Sequence, residues 1–229
     1  RPNDPTREHT NWVRNLLPRF KAVVYVLGNH EFYSNIMDDV REHWKIMDQN
    51  HSNLHVLDND TVIIDAVRFI GGTLWTSMND GDWFVEQAAK QGMNDLRVIR
   101  CRDKHGIDHK FSVAKWKQEH YNTVDYIREK LKEDFDGPTV VVTHHLPSFN
   151  SNDPRFNNRL DHCYASNLDN LMVHNPVNLW LHGHTHVSFD YQLGFIGDDD
   201  NMGRVACNPR GYDGVELNPD FDPYKVVEV

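Results

Sequence analysis

Three apolar runs in this chain each stop abruptly at side chains of the metal-ligating type, and this pattern constrains the fold more than any other feature. Val177 to Leu181 runs into His182-Gly183-His184-Thr185-His186, Ala22 to Leu27 into Gly28-Asn29-His30-Glu31, and Thr139 to Thr143 into His144-His145. Continuous apolar, β-branched runs of this length read as strands buried on both faces. Polar residues crowded past the carboxyl ends of such strands mark where open α/β sheets build their sites. Neutral imidazole is the commonest protein metal ligand. A single histidine at a strand end serves equally well to hydrogen-bond the backbone or to cover a core. Three such junctions predict that the loops converge on one spot, with Gly183 read as the point where the last loop turns sharply.

The remaining periodicities fill in an α/β pattern. Thr6 to Leu17 reads as a weak helix with Trp12, Val13, Leu16 and Leu17 on one face. Asn35 to Asn50 is an amphipathic helix through Ile36, Val40, Trp44 and Met47, and Ser112 to Phe135 is the clearest helix, through Val113, Trp116, Val124, Ile127 and Leu131. A shorter helix is expected from about Asn167 to His174. Leu54 to Leu57, Thr61 to Ile64 and Val67 to Ile70 read as short strands with a hairpin turn at Asn59-Asp60. Phe189 to Leu193, Phe195-Ile196, Arg204 to Asn208 and Lys225 to Val229 are further strands, and Asp198 to Asn201 is a turn tip. The polar stretch from Gly71 to about Asp108 reads as a long functional loop with one short helix near Met93 to Arg100, and Ser148 to Cys163 as a second polar loop. No internal repeat is visible, so residues 1–229 are expected to form a single domain.

Composition removes several classes of function. Against 24 basic residues stand 34 acidic ones, a net charge of −10, which opposes bulk binding to nucleic acid. A small anionic substrate stays compatible if a local cation reverses the field. No apolar run approaches the ~20 residues of a membrane span. Cys101, Cys163 and Cys207 are odd in number and form no CxxC pair, which fits reduced thiols in a cytoplasmic protein and excludes a zinc finger. There is no Gly-x-Ser-x-Gly elbow and no phosphate-binding GxxxxGK[ST] loop. Metal-assisted hydrolysis is the class that survives.

Gly28-Asn29-His30-Glu31, Val142-Thr143-His144-His145 and Gly183-His184-Thr185-His186, in that order, resemble the later three motifs of the calcineurin-like metallophosphoesterases. The resemblance extends to Gly72-Thr73-Leu74-Trp75 and to Asn208-Pro209-Arg210-Gly211-Tyr212, as in bacterial and phage-type members. It implies a four-layer α/β/β/α sandwich, two mixed sheets face to face with helices outside. It also implies two divalent ions ~3.5–4 Å apart, bridged by a carboxylate and a water or hydroxide that serves as nucleophile on a phosphate ester. Mn²⁺ is the expected metal, and Fe, Zn²⁺ and Ni²⁺ also suit an all N/O ligand set. Carried over residue by residue, Asn29, His144 and His184 hold one ion, His186 belongs to the other, and His30 is the catalytic histidine. His145 and Arg210 are candidate contacts to a small phosphorylated substrate, and His182 supports the ligands from behind.

The family's first two motifs, Asp-x-His and Gly-Asp, have no match between Arg1 and Phe20. The expectation is therefore a chain that begins partway into the domain, lacking two strands and most of the second ion's ligands. Two other readings accompany the enzyme: a catalytically inactive remnant of the same fold, and a mononuclear metal-binding domain using Asn29, His144 and His184. The sequence leaves oligomeric state open.

Overall fold

A computed structural model describes residues 5–155, 158–194, 203–212 and 214–229. Helix α1 (Pro5–Leu16) leads into β1 (Val23–Tyr25), α2 (Met37–Asn50) and β2 (Leu54–Val56), and β1 and β2 pair in parallel. On α1 the buried stripe is Thr10 and Val13, continued by Leu17 in the turn that follows, while Trp12 is 58% exposed. At 100° per residue a helix cannot put both Trp12 and Val13 at the centre of one face, so the predicted face was one residue too wide. On α2 the buried positions are Met37, Val40, Trp44 and Met47, the expected period. β1 is half-buried rather than enclosed on both faces, with β2 as its one strand partner among the described residues.

The chain then forms a hairpin, β3 (Asp60–Ile64) and β4 (Val67–Gly72). Its turn residues Asp65 and Ala66 both take positive φ, the geometry whose twist matches that of the flanking strands. The hairpin turn expected at Asn59-Asp60 is thus misplaced: β2 pairs with β1 and β3 with β4, so residues 57–59 cross between sheets. That crossing needs the paired glycines closing β4. A Cβ on Gly71 would lie 2.8 Å from Leu57 Cβ, and one on Gly72 2.6 Å from Asn59 Oδ1.

The stretch expected to be a long loop is instead largely built. It contains a left-handed turn labelled α3 (Met78–Gly81), then α4 (Trp83–Gly92), α5 (Asp95–Val98) and the antiparallel pair β5 (Arg100–Arg102) and β6 (Asp108–Lys110). Asp82 caps α4 by accepting from Phe84 N and Val85 N, and the helix buries Val85 and Ala89. The helix expected near 93–100 shrinks to the four residues of α5.

Helix α6 (Val113–Lys132), capped by the Ser112 hydroxyl on Lys115 N, buries Trp116, His120, Val124, Ile127 and Leu131. It is followed by β7 (Thr139–Thr143), the short helices α7 (Asp161–Tyr164) and α8 (Asp169–Val173), β8 (Leu179–Leu181), β9 (Phe189–Leu193), β10 (Gly203–Cys207) and the small hairpin β11 (Gly211–Tyr212) and β12 (Glu216–Leu217). The main sheet is six-stranded and mixed, in the order β3-β4-β7-β8-β10-β9, with β4, β7, β8 and β10 parallel and the two edge strands antiparallel. Ile70, Val141, Trp180 and Val205 pack with Val124, Ile127 and Leu131 of α6, while Val140, Leu179 and Ala206 form the core of the opposite face. A larger apolar cluster joins α1, α2, α4 and α6 around Trp44, Trp75 and Trp116.

Residues 225–229 are not a strand. Val227 packs on the sheet, but Val226 and Val229 are exposed, so the alternation of valines reflects one anchoring contact and not a ladder. The strand expected at Phe195-Ile196 and the turn at Asp198 to Asn201 lie outside the described residues. Cys101, Cys163 and Cys207 are free and buried. Among the described residues no helix is long and apolar enough to cross a membrane.

Candidate metal centre

Because β4, β7, β8 and β10 run parallel, their carboxyl ends lie along one edge of the sheet. That edge carries Thr73-Leu74-Trp75, His144-His145, His182 to His186 and the segment to Tyr212. The Gly28-Asn29-His30 loop after β1 meets them there. His144 Nε2 lies 2.9 Å from Asn29 Oδ1 and 3.0 Å from His184 Nδ1. Three sequence-predicted ligands, separated by up to 155 residues along the chain, thus bring one donor atom each to a single point.

The strand ends achieve this with unusual backbone. His184 adopts φ 66, a left-handed conformation that non-glycine residues hold only when the surroundings enforce it. Gly183, expected to supply the sharp turn, has no positive φ; the left-handed residue is the ligand itself. Leu74 and Trp75 are also left-handed, at φ 73 and 46, which turns Trp75 beneath the site. Its ring packs 5.0 Å from His145 and 4.7 Å from Trp116. Gly28 makes room for His144, since a Cβ there would lie 2.6 Å from its Cε1.

Burial pulls the His144 imidazole down to about 4, with Glu31 opposing, and pushes His184 and His145 well below the ordinary histidine value. These rings are therefore neutral near pH 7, the form that offers a lone pair to a metal. Glu31 stays ionised: burial disfavours its charge, but His9 at 3.1 Å and the Tyr25 hydroxyl at 2.6 Å bring it down to about 2. Its other oxygen accepts from Gly28 N at 2.8 Å, which fixes the loop that carries Asn29.

The donor set fits one divalent ion. Neighbouring ligands of a six-coordinate ion at ~2.1 Å stand ~3.0 Å apart, and the three donor atoms here are spaced at 2.9 and 3.0 Å. Among the described residues no three His, Cys, Asp or Glu side chains gather into a metal-holding group, because the third member of this cluster is the Asn29 amide. Among the described residues a second ion does not find its ligands in the same way. His186 faces the cleft but pairs through Nδ1 with Glu216 Oε2 at 3.1 Å.

The other predicted residues fall into place around this point. His30 opens onto a cleft of about 330 Å³ shared with Asn29, His144, His184 and His186. Its ring stacks between Tyr33 at 4.2 Å and Tyr212 at 5.4 Å, and its Nε2 lies 2.9 Å from the Tyr212 hydroxyl. Burial lowers its pKa, with Asp95 and Glu31 acting the other way. His145 is completely buried; its Nδ1 donates to Thr73 O at 3.1 Å and its ring lies 4.3 Å from that of His184. His182 turns away from the ligands, to Ser151 Oγ at 2.9 Å and Gly183 O at 3.0 Å. Arg210 is exposed on the segment between β10 and β11. A second cleft of about 400 Å³ shares His184 and His186 and extends over Leu146, Leu160, Tyr164 and the acids Asp153, Asp161 and Glu216.

Sequence reasoning missed Tyr33, Asp95, Tyr212 and Glu216 as neighbours of the site. Tyr212 closes the quoted Asn208-Pro209-Arg210-Gly211-Tyr212 stretch, but no spacing rule ties a tyrosine to a histidine 182 residues away. Asp95 falls on the short helix expected near Met93 to Arg100, and no local pattern ties it to Asn29.

Residues 3–188 match the family described as calcineurin-like phosphoesterase. An uncharacterised protein of Acanthamoeba polyphaga mimivirus is 29% identical, over 94% of this chain and 76% of its own length. Among solved structures, the phosphopantetheinyl hydrolase of Mycobacterium tuberculosis superposes with a TM-score of 0.63 at 16% identity, covering 88% of this chain and 73% of that one. With the mixed α/β sheet, the strand-end histidines and this match in agreement, the chain belongs to the calcineurin-like phosphoesterase family.

Proposed function

We propose that the chain hydrolyses a phosphate ester, a phosphomonoester or a phosphodiester, with a divalent ion held by Asn29, His144 and His184. The observation that carries this reading is the meeting of Asn29 Oδ1, His144 Nε2 and His184 Nδ1 at 2.9–3.0 Å on the floor of the cleft onto which His30 opens. A divalent ion bound there neutralises phosphoryl charge and lowers the pKa of water, and Mn²⁺ is the ion expected, ahead of Fe, Zn²⁺ or Ni²⁺.

The protein's own groups supply the rest. His30, braced by two tyrosine rings, is placed to donate a hydrogen bond to a phosphoryl oxygen and, in its protonated form, to pass a proton to the leaving oxygen. Asn29 ligates without adding negative charge where the phosphate sits. His145, fully buried, stiffens the ligand His184 by packing behind it instead of touching substrate, and Arg210 is a candidate for the substrate's outer end. The organic part of the ester extends into the neighbouring cleft over Leu146, Leu160 and Tyr164.

The test is turnover of an aryl phosphate with and without added Mn²⁺, alongside His30→Ala and His144→Ala. Activity that needs the metal and is lost in both variants supports the reading; wild-type rates in both variants refute it. A second reading, a mononuclear metal-binding domain, is favoured by the engagement of His186 with Glu216. Elemental analysis alongside the assay separates the two: bound metal with turnover supports the hydrolase, and a single bound ion without turnover supports the binding domain.

A further inference from the structure

The Asn29 side chain has two chemically opposite ends, and only its oxygen ligates a cation. Which end faces His144 and His184 is settled on the far side of the amide. There Asp95, 1% exposed, accepts from Asn29 Nδ2 through Oδ1 at 2.8 Å and from the Tyr33 hydroxyl through Oδ2 at 3.2 Å. A carboxylate only accepts, so the amide must turn its NH₂ toward Asp95 and its oxygen toward His144 Nε2. The same carboxylate holds Tyr33, whose ring stacks 4.2 Å from His30 at an interplanar angle of 29°. One buried group, on α5 and 66 residues from Asn29 in the chain, therefore touches a ligand directly and the stacking partner of the cleft histidine.

We propose that Asp95 is the positioning residue of this centre, fixing the Asn29 amide directly so that its oxygen faces the metal, and fixing the His30 ring through Tyr33. Without that acceptor the amide keeps only a long 3.4 Å contact to the Tyr33 hydroxyl and is able to rotate and place an N–H where the cation must sit, which replaces a ligand with a repulsive contact. Partners of this kind behind metal ligands set ligand orientation, and their loss weakens metal binding without touching the metal. The inference rests on the metal-site reading above and extends it to a residue that neither binds metal nor meets the substrate.

The experiment is Mn²⁺ titration by calorimetry of the purified chain as wild type, Asp95→Leu and Asp95→Asn, with a thermal melt of each. Asp95→Leu is expected to bind Mn²⁺ about 10- to 100-fold more weakly. Asp95→Asn, which keeps one acceptor oxygen for Asn29, is expected to stay within about threefold of wild type. A role confined to holding α5 in place lowers the melting temperature but leaves the affinity of the folded protein alone; folded Asp95→Leu with wild-type affinity therefore overturns the proposal. A measurement on the unmutated, metal-free protein keeps the question decidable if Asp95→Leu does not fold. The Asn29 side-chain NH₂ is expected to exchange with water at least about tenfold more slowly than that of exposed Asn150, and equal exchange overturns the proposal as well. Wild-type protein that binds Mn²⁺ yet turns over no ester counts against the phosphoesterase reading and leaves the role of Asp95 standing.

Discussion

Substituting Gly28 by Ala tests how tightly the metal centre is framed. The added Cβ would sit 2.6 Å from His144 Cε1, 2.7 Å from its Nδ1 and 3.0 Å from Glu31 Oε2. Carbon–carbon contacts are comfortable at ~3.5–4.0 Å, so the imidazole has to retreat by about 1 Å. Metal–ligand distances tolerate about 0.2 Å, so that retreat takes Nε2 out of the three-way convergence. The overpacking itself costs about 1–3 kcal/mol, a fall in Tm of roughly 2–12 °C for a chain of this size. Mn²⁺ affinity by calorimetry is expected to fall by at least ~10-fold. Gly183→Ala is the internal control from the other histidine loop. There a Cβ meets His144 Nδ1 at 3.6 Å, an ordinary contact, and φ is not positive, so binding is expected to be unchanged. Stability should hold or rise by ~0.4–1 kcal/mol as the unfolded chain loses freedom. If Gly28→Ala keeps wild-type affinity, or Gly183→Ala damages the site equally, the steric argument is wrong.

Three other outcomes are expected. Acid should destabilise the metal-free protein in two stages: His144 and His182, held near 4, contribute stability that is full above pH ~6.5 and is lost as pH falls toward about 4. Glu31, held at about 2, adds about 3 kcal/mol that is present above pH ~4.5 and lost as pH falls through about 2. Urea midpoints that stay level from pH 7 to pH 5 would contradict this, and Glu31→Gln should flatten only the lower stage. His182→Ala removes the contacts to Ser151 and Gly183 and should cost about 1–3 kcal/mol while leaving Mn²⁺ affinity intact, whereas His184→Ala should abolish binding. Tyr212→Phe deletes the hydroxyl at His30 Nε2 and is expected to lower kcat about 3- to 10-fold with Mn²⁺ affinity unchanged; a parallel loss of both would assign Tyr212 to the metal site instead.

The features legible in the residues alone are local and periodic. β7 and α6 were legible because Thr139 to Thr143 is continuously β-branched and apolar, and because Trp116, Val124, Ile127 and Leu131 recur at helical spacing. Asn29, His144 and His184 were legible because each lies within three residues of the end of such a run, where α/β proteins build their sites, and because the motifs that carry them resemble those of the calcineurin-like family, which implied their role. Where a segment's environment is set by distant partners, the local pattern failed. Asn59-Asp60 reads as a turn in isolation, but β2 and β3 belong to different sheets. The stretch from Gly71 reads as loop, yet Val85 and Ala89 find a core supplied by other elements. Lys225 to Val229 has strand composition without a strand to pair with among the described residues. Only the tertiary structure joined His182 to Ser151, Asp95 to Asn29, Tyr212 to His30 and Glu216 to His186. The physical reason is that a hydrogen bond between side chains needs the two within about 3 Å, and for residues far apart in sequence that proximity is fixed by how the sheets, helices and loops pack, which no local pattern encodes.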